Sequence, residues 1–205
     1  EEIINPFLFG LNILDNEPPK INSVYLYRYS NDSLKNAFIK KQELEIKTGD
    51  TISSFGTLGL GFEIRDYLSA KKGNFDAYQA KLWVDDSLNF YYKFDRLSFD
   101  ESKYINSFID YYEYRLSGKK IIKFFIESNN KLSIYRTNKS GLFNLDDLKV
   151  HKLDILISDI KGNSTKLSFY IKSDSSLTLY KQKNLHFDKQ INYSKVEEFK
   201  TDSFN

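Results

Sequence analysis

Short runs in which apolar side chains recur at every second position constrain this chain more than any other feature. They are residues 24–29, 90–94, 132–136, 153–158 and 167–172. A period of two in segments rich in Tyr, Phe and Ile, separated by Gly, Asn, Asp and Ser, is typical of antiparallel strands. Several such strands at short spacing favour two packed sheets. The sequence therefore predicts an all-β, antiparallel sandwich.

One stretch, residues 98–115, breaks this alternation. Ser98 and Glu101 have the spacing of a capping box, in which the hydroxyl and the carboxylate satisfy the first free amides of a helix. Gly118 is a suitable stop. The apolar residues between them recur at helical spacing: Tyr104, Ile105, Phe108, Ile109 and Tyr112. We therefore expect a short helix inserted between strands, with its apolar stripe over the end of a sheet.

The composition excludes several kinds of site and partner. The 205 residues contain no cysteine, so disulfides, thiolate metal sites and a cysteine nucleophile are excluded. The 30 basic and 28 acidic residues are spread along the chain and give a net charge of +2. Without a basic arm or a glycine-rich phosphate loop, no nucleic-acid partner is expected. The apolar stretches are much shorter than the ~20 residues that cross a bilayer, so no transmembrane segment is expected.

The two ends differ from the middle of the chain. Residues 1–20 contain all three prolines, and Pro18-Pro19 stiffens the approach to the first strand. Residues 173–205 lose the dense apolar pattern. We therefore expect a linker at 1–20, the sandwich at 21–172, and at 173–205 a linker that leads into a further β region. The chain begins with Glu1 and lacks methionine, so we expect a piece of a longer protein.

Candidate catalytic residues are few. The two histidines, His151 and His186, each lack a partner at the spacing of a zinc site. No Gly-x-Ser-x-Gly elbow occurs. The acidic pairs Asp85-Asp86, Asp146-Asp147 and Glu197-Glu198 are typical of solvated turns, and none is favoured as a glycosidase couple. We therefore predict no catalytic, cofactor-binding or metal-binding residue in this chain.

The segment Asp159-Ile160-Lys161-Gly162-Asn163 is predicted to be a hairpin turn. Asp bonds readily to the backbone two residues on, and Gly162 accepts a positive φ. A calcium site is the alternative, but the sequence places too few oxygen ligands near Asp159.

Four aromatic residues are candidate contacts to a glycan or a protein partner: Trp83, Tyr111, Tyr112 and Tyr114. Their flat rings can stack on sugars or fill a partner's pocket. Packing within the sheets is the alternative, because aromatic residues also favour strands and cores.

Several segments share features with one known family. They are the Asp…Pro-Pro opening at 15–19, the alternating glycines at 59–66, the helical segment at 100–111, the Asn-x-Leu-x-Ile-Tyr segment at 129–136 and the Asp…Gly-Asn turn at 159–163. Together they resemble the non-catalytic region of lysostaphin-type (LytM) zinc metallopeptidases of Gram-negative bacteria. Residues 4–10 resemble the segment that leaves the catalytic domain. Lys103 replaces the family's usual Arg, and Asp76-Ala77-Tyr78 lacks its usual Gly.

The resemblance implies an immunoglobulin-like β-sandwich that serves as an accessory or scaffold domain of a peptidoglycan endopeptidase. The family's His-x-x-x-Asp and His-x-His ligands have no match here, so zinc is expected only in a catalytic domain outside this chain. The implied partners are that catalytic domain and peptidoglycan or an envelope protein complex, and the implied location is the periplasm or cell envelope. A module that docks onto an envelope assembly and a glycan-binding module are the alternatives.

Overall fold

The computed structural model describes residues 2–9, 14–30, 38–67 and 75–177, and this part of the chain is mostly β, as the alternation predicts. The strands are β1 (Glu2–Ile4), β2 (Lys20–Tyr29), β3 (Phe38–Leu44), β4 (Thr51–Ser54), β5 (Gly56–Arg65), β6 (Gln79–Val84), β7 (Ser87–Lys93), β8 (Arg96–Ser98), β9 (Ile121–Lys123), β10 (Phe143–Leu145), β11 (Val150–Ser158) and β12 (Ser164–Ser173). The helices are two 3-10 helices, Pro6–Phe9 and Phe99–Tyr104, and two α-helices, α1 (Ile105–Phe108) and α2 (Tyr111–Ser117).

The strands form two larger sheets and one strand pair. The first sheet has the order β10-β5-β2-β3, with β9 also paired to β5. The second has the order β4-β12-β11-β6-β7, and β1 pairs with β8. Among the described strands every pairing is antiparallel except that of β4 with β12, which is parallel.

One buried cluster receives side chains from both larger sheets. The first sheet contributes, among others, Leu26 from β2 and Phe62 from β5, and the second contributes Phe90 from β7 and Phe169 from β12. Phe124, just after β9, lies between them: its ring centroid is 4.3 Å from that of Phe62 and 5.4 Å from that of Phe90. Burial of these rings removes large apolar areas from water and holds the sheets together.

The other face of β2 is also buried. Tyr25, Tyr27 and Tyr29 form a second cluster with Ile121 and Phe125. This explains why both sets of alternating residues at 24–27 in β2 are apolar or aromatic, since a strand segment covered on both faces has no solvent side.

The helical segment differs from the prediction. The segment begins as the second 3-10 helix, which runs directly into α1. It is split between α1 and α2, where Ile109 has extended backbone angles (φ −105°, ψ 166°) and bridges Ile122. Ser98 makes no side-chain capping bond, and the Glu101 carboxylate instead accepts from the Ser133 amide. The predicted capping box is therefore wrong. The predicted stop is confirmed, since Gly118 ends α2 in the left-handed region at φ 73°.

Residues 132–136 do not form the predicted strand. They follow the edge of β7 through two backbone hydrogen bonds, from Lys93 N to the Ile134 carbonyl and from Arg136 N to the Tyr91 carbonyl. Asn130 folds the segment back, since its Oδ1 accepts from Leu132 N and its Nδ2 donates to the Tyr135 hydroxyl. Local bonds of this kind compete with a regular strand ladder.

Two of the predicted turns are observed, while Asp146-Asp147 lies in an irregular connection between β10 and β11. Asp85-Asp86 connects β6 to β7 with positive φ at both residues, as a type I′ turn requires. Residues 159–163 connect β11 to β12, with Gly162 at φ 95°. Glu197-Glu198 and His186 lie outside the described residues. The division into 1–20, 21–172 and 173–205 stays a prediction. None of the described helices has the length and apolar character to span a bilayer.

Candidate functional site

A cavity of about 440 Å³ lies beside the helical segment. Its apolar wall includes Phe94, Phe108 and Tyr114, and its polar wall includes three aspartates and a lysine: Asp15, Asp66, Asp76 and Lys120. This volume falls within the range of small-molecule sites, which combine apolar walls with a few polar groups. The cavity is therefore a candidate functional site.

Three buried aspartates meet at the polar side of this cavity. Asp15 precedes β2, Asp66 directly follows β5, and Asp159 begins the turn between β11 and β12. One carboxylate oxygen from each lies within 4.8 Å of the other two. The exposed fractions of these residues are 6%, 5% and 2%. Within the described ranges this is the only group of three acidic, imidazole or thiol side chains close enough to share a metal ion.

The backbone around the aspartates explains their convergence. Asp66 and Phe75 exchange two backbone hydrogen bonds of 3.0 Å, which hold the end of β5 in place. Asn163 ties the turn to the opening segment: its side-chain amide donates to the Asp159 carboxylate (2.7 Å) and to the Asp15 carbonyl (3.1 Å). The Asp159 carboxylate also accepts from the Asn163 backbone amide. Three distant parts of the chain are thus held at one point.

The electrostatics of Asp66 are unusual. Its Oδ1 atom is buried and makes no hydrogen bond within the described part of the chain. Burial, together with the negative charges of Asp159 and Asp15, raises the pKa of Asp66 to about 6. A carboxylate in this position is poorly solvated, and clustered carboxylate oxygens are the ligands that hard divalent cations prefer.

Sequence reasoning missed this cluster. The sequence around Asp159 predicts a turn and places too few oxygen ligands nearby for a metal ion. The fold supplies two more carboxylates, because β2 and β5 pair antiparallel with Lys20 opposite Arg65, which brings the segment before β2 beside the end of β5. No local pattern signals such a meeting.

The four aromatic candidates occupy two separate elements. Tyr111, Tyr112 and Tyr114 lie on α2, with exposed fractions of 43%, 74% and 44%. Trp83 lies on β6, is half-buried, and has the Lys81 ammonium 6.0 Å from its ring centroid. The structure therefore brings the three tyrosines together on one short helix and leaves Trp83 in a different sheet from the strands beside α2.

The helix α2 is anchored at its N-terminus by Asp110. One Asp110 oxygen accepts from the Glu113 amide, while the other accepts from the Tyr27 hydroxyl (2.7 Å) and the Lys41 ammonium (2.8 Å). Lys41 also donates to Glu113. Burial opposes ionisation of Asp110, but the bonds from Lys41, Glu113 and Tyr27 outweigh it and lower the pKa. The exposed tyrosines are thus presented by a fixed helix.

Both ring nitrogens of His151 contact carboxylates. Its Nδ1 lies 2.6 Å from an Asp85 carboxylate oxygen and its Nε2 lies 2.8 Å from an Asp147 carboxylate oxygen. The other Asp85 oxygen accepts from the Lys152 amide. Both ring nitrogens are therefore occupied in joining the turn before β11 to the β6–β7 turn.

We expect the His151 contacts to make stability depend on pH. Burial opposes protonation of His151, but the bonds to Asp147 and Asp85 outweigh it, so its pKa in the folded state is raised. A raised folded pKa stabilises the protein fully below the unfolded pKa of roughly 6.5, and this contribution is lost as the pH rises through the folded pKa. Urea denaturation of the wild type and of His151→Gln at several pH values from 5 to 9 measures it.

The difference in unfolding free energy between the two proteins cancels the titration of groups that do not contact His151. We expect the free energy of unfolding of the wild type to exceed that of His151→Gln by the largest amount at pH 5 to 6. This difference is expected to become smaller above neutral pH. A difference in unfolding free energy that grows as the pH rises would contradict the stabilising role of the His151 contacts with Asp85 and Asp147.

Comparison with known proteins finds no matching family model, no matching curated protein and no matching solved structure. A functional assignment for this chain therefore depends on its own residues, their geometry and the sequence resemblance described above.

Proposed function

We propose that this chain is a non-catalytic accessory domain, an immunoglobulin-like β-sandwich, of an exported LytM-type zinc metallopeptidase that cleaves peptidoglycan. The observation that carries the proposal is the meeting of three segments of the resemblance: the opening at 15–19, the segment at 59–66 and the turn at 159–163 each contribute one aspartate to the buried cluster. Three segments that resemble the family thus meet in one structural feature.

In this role the domain packs beside the zinc domain and sets its access to the cell wall. Two features favour a scaffold. His151 has both ring nitrogens bonded to carboxylates. The described ligand cluster is made of aspartates alone, whereas catalytic zinc sites include imidazole or thiolate ligands. The periplasm or cell envelope is the proposed location.

A second candidate function is recognition, either of a protein in an envelope assembly or of a glycan. It is favoured by α2, which exposes Tyr112 (74%) and Leu116 (67%) while Tyr114 lines the cavity. Exposed aromatic and aliphatic side chains on a fixed element are typical of interaction surfaces. This function is compatible with the scaffold role.

The scaffold proposal is tested with purified sacculi. The 205-residue chain, supplied with Zn²⁺, is expected to release no soluble peptidoglycan fragments, while a LytM-type catalytic domain in the same assay releases them. Hydrolysis by this chain alone contradicts the proposal. In the parent enzyme, deletion of this domain is expected to lower the rate of sacculus hydrolysis, and an unchanged rate contradicts the positioning role.

Recognition is tested by cosedimentation with sacculi and by pull-down from envelope extracts. We expect Tyr112→Ala to weaken binding roughly tenfold, as the loss of an exposed aromatic anchor usually does. Tyr170→Ala on β12, away from α2, is the matched control for Tyr112→Ala. Trp83→Ala separately tests the outer face of the second sheet, which Tyr170 shares. Equal binding by folded Tyr112→Ala and wild type removes the support for recognition through α2.

A further inference from the structure

The aspartate cluster carries an inference beyond the scaffold role and independent of it. We propose that Asp15, Asp66 and Asp159 form a Ca²⁺ site that fastens the segment before β2 to the end of β5 and to the β11–β12 turn. The ion would act as a structural link between three distant parts of the chain.

The spacing of the oxygens fits one ion. Ca²⁺ binds oxygen at about 2.3–2.6 Å, so two oxygens on opposite sides of the same ion are about 5 Å apart. The three carboxylate oxygens lie within 4.8 Å of one another. Each can therefore contact one central cation with little movement of the backbone.

The second observation is the buried, unpartnered oxygen of Asp66. Asp66 is 5% exposed, and its Oδ1 has no hydrogen-bond partner among the described residues. Buried polar atoms are nearly always bonded, and one without a partner needs an explanation such as an ion. The charged groups that act on Asp66 are the carboxylates of Asp159 and Asp15, which repel it. A divalent cation between them satisfies the free oxygen and converts the repulsion into attraction.

The ligand set selects calcium over other metals. All three side chains offer oxygen, whereas zinc prefers nitrogen and sulfur. Mg²⁺ demands near-ideal octahedral geometry at about 2.0–2.1 Å and loses its water reluctantly, while Ca²⁺ accepts irregular sets of carboxylates and waters. Asp15 and Asp66 both line the cavity of about 440 Å³. That cavity gives the ion a path from solvent and room for water ligands.

The experiment measures calcium binding to the full chain after treatment with a chelator. Calorimetric titration with CaCl₂ is expected to show one site. Thermal unfolding at a free Ca²⁺ concentration 100-fold above Kd is expected to show a Tm about 5–10 °C higher than in chelator, since the ion binds only the folded chain. MgCl₂ at the same concentration is expected to give a much smaller shift.

The variant Asp66→Asn separates the site from general ionic effects. In chelator we expect its Tm to equal or exceed that of the wild type, because the amide removes one buried negative charge. With CaCl₂ we expect no increase. Asp76→Asn is the matched control: Asp76 lines the same cavity but is ion-paired with Lys120, so this variant is expected to keep the calcium response.

Three outcomes would overturn the site. They are no heat and no Tm shift in the wild type at millimolar CaCl₂, an equal response in folded Asp66→Asn, and loss of the response in folded Asp76→Asn. If Asp66→Asn does not fold, Asp159→Asn takes its place, and the wild-type titration decides in any case. Failure here leaves the sacculus and deletion assays of the scaffold proposal untouched.

Discussion

Replacing Phe124 with alanine is expected to lower the free energy of unfolding by about 4 kcal/mol. Phe124 is fully buried. Its ring contacts Phe62 of the first sheet and stacks on Phe90 of the second, 5.4 Å between centroids, and Tyr92 lies edge-on to it. The change therefore removes a large apolar group from between the sheets and leaves a cavity that rigid neighbours fill poorly. Urea denaturation followed by circular dichroism measures the loss.

Phe99 provides the matched control for this change. It begins the second 3-10 helix and is 53% exposed, so Phe99→Ala is expected to cost less than about 1 kcal/mol. Equal losses for the two variants would show that Phe124 does not hold the sheets together.

Gly141→Ala is expected to cost about 3 kcal/mol or more. Gly141 has φ 84°, where an L-residue is strained by about 1–2 kcal/mol. A Cβ atom there would also overlap the Phe124 carbonyl and would lie 2.7 Å from the Phe125 Cα, both of them backbone atoms. Neighbouring backbone cannot move without shifting the segment that carries Phe124. Urea denaturation gives the change in unfolding free energy.

Gly118→Ala separates the effect of backbone strain from the effect of overlap between the added Cβ and neighbouring backbone. Gly118 has a similar φ of 73°, but nothing lies within 4 Å of an added Cβ. We expect only the strain, about 1 kcal/mol. A loss for Gly141→Ala no larger than that for Gly118→Ala would argue against the close backbone approach.

The strands that the sequence predicted well are those whose pattern reports burial directly. In β11 and β12 the inward positions Leu153, Ile155, Leu167 and Phe169 are buried and alternate with more exposed neighbours. In these strands the period of two therefore predicts which side chains are buried. The segment at 132–136 shows the same alternation, but the side-chain bonds of Asn130 fold it back, and such bonds are invisible to a periodicity argument.

The prediction of a single helix at residues 98–115 was wrong for a related reason. The apolar spacing of this segment is helical, yet Ile109 bridges Ile122 of β9 and interrupts it. A tertiary contact overrides local propensity here. Gly118 was predictable, because the left-handed conformation that ends α2 depends on a single residue type.

The candidate sites also differ in how far they could be predicted from the sequence. The sequence names the tyrosines of α2 as candidate contacts, but its helical spacing also places Tyr112 in the apolar stripe expected to cover a sheet, whereas Tyr112 is 74% exposed. The aspartate cluster cannot be predicted from sequence, because Asp15 and Asp159 come together through tertiary contacts such as the bond from the Asn163 side chain to the Asp15 carbonyl, which spans 148 residues.

The borders of the two sheets limit how another molecule can attach. At the β3 border, Lys40, Lys41 and Glu43 lie along a seven-residue strand, and charged edges discourage the addition of a further strand. Along β7, residues 134–136 already occupy backbone groups. Strand-to-strand extension of either sheet is thus opposed at these borders, and this applies equally to unwanted self-association. At the β3 and β7 borders a partner is therefore expected to contact side chains rather than continue a ladder of backbone hydrogen bonds.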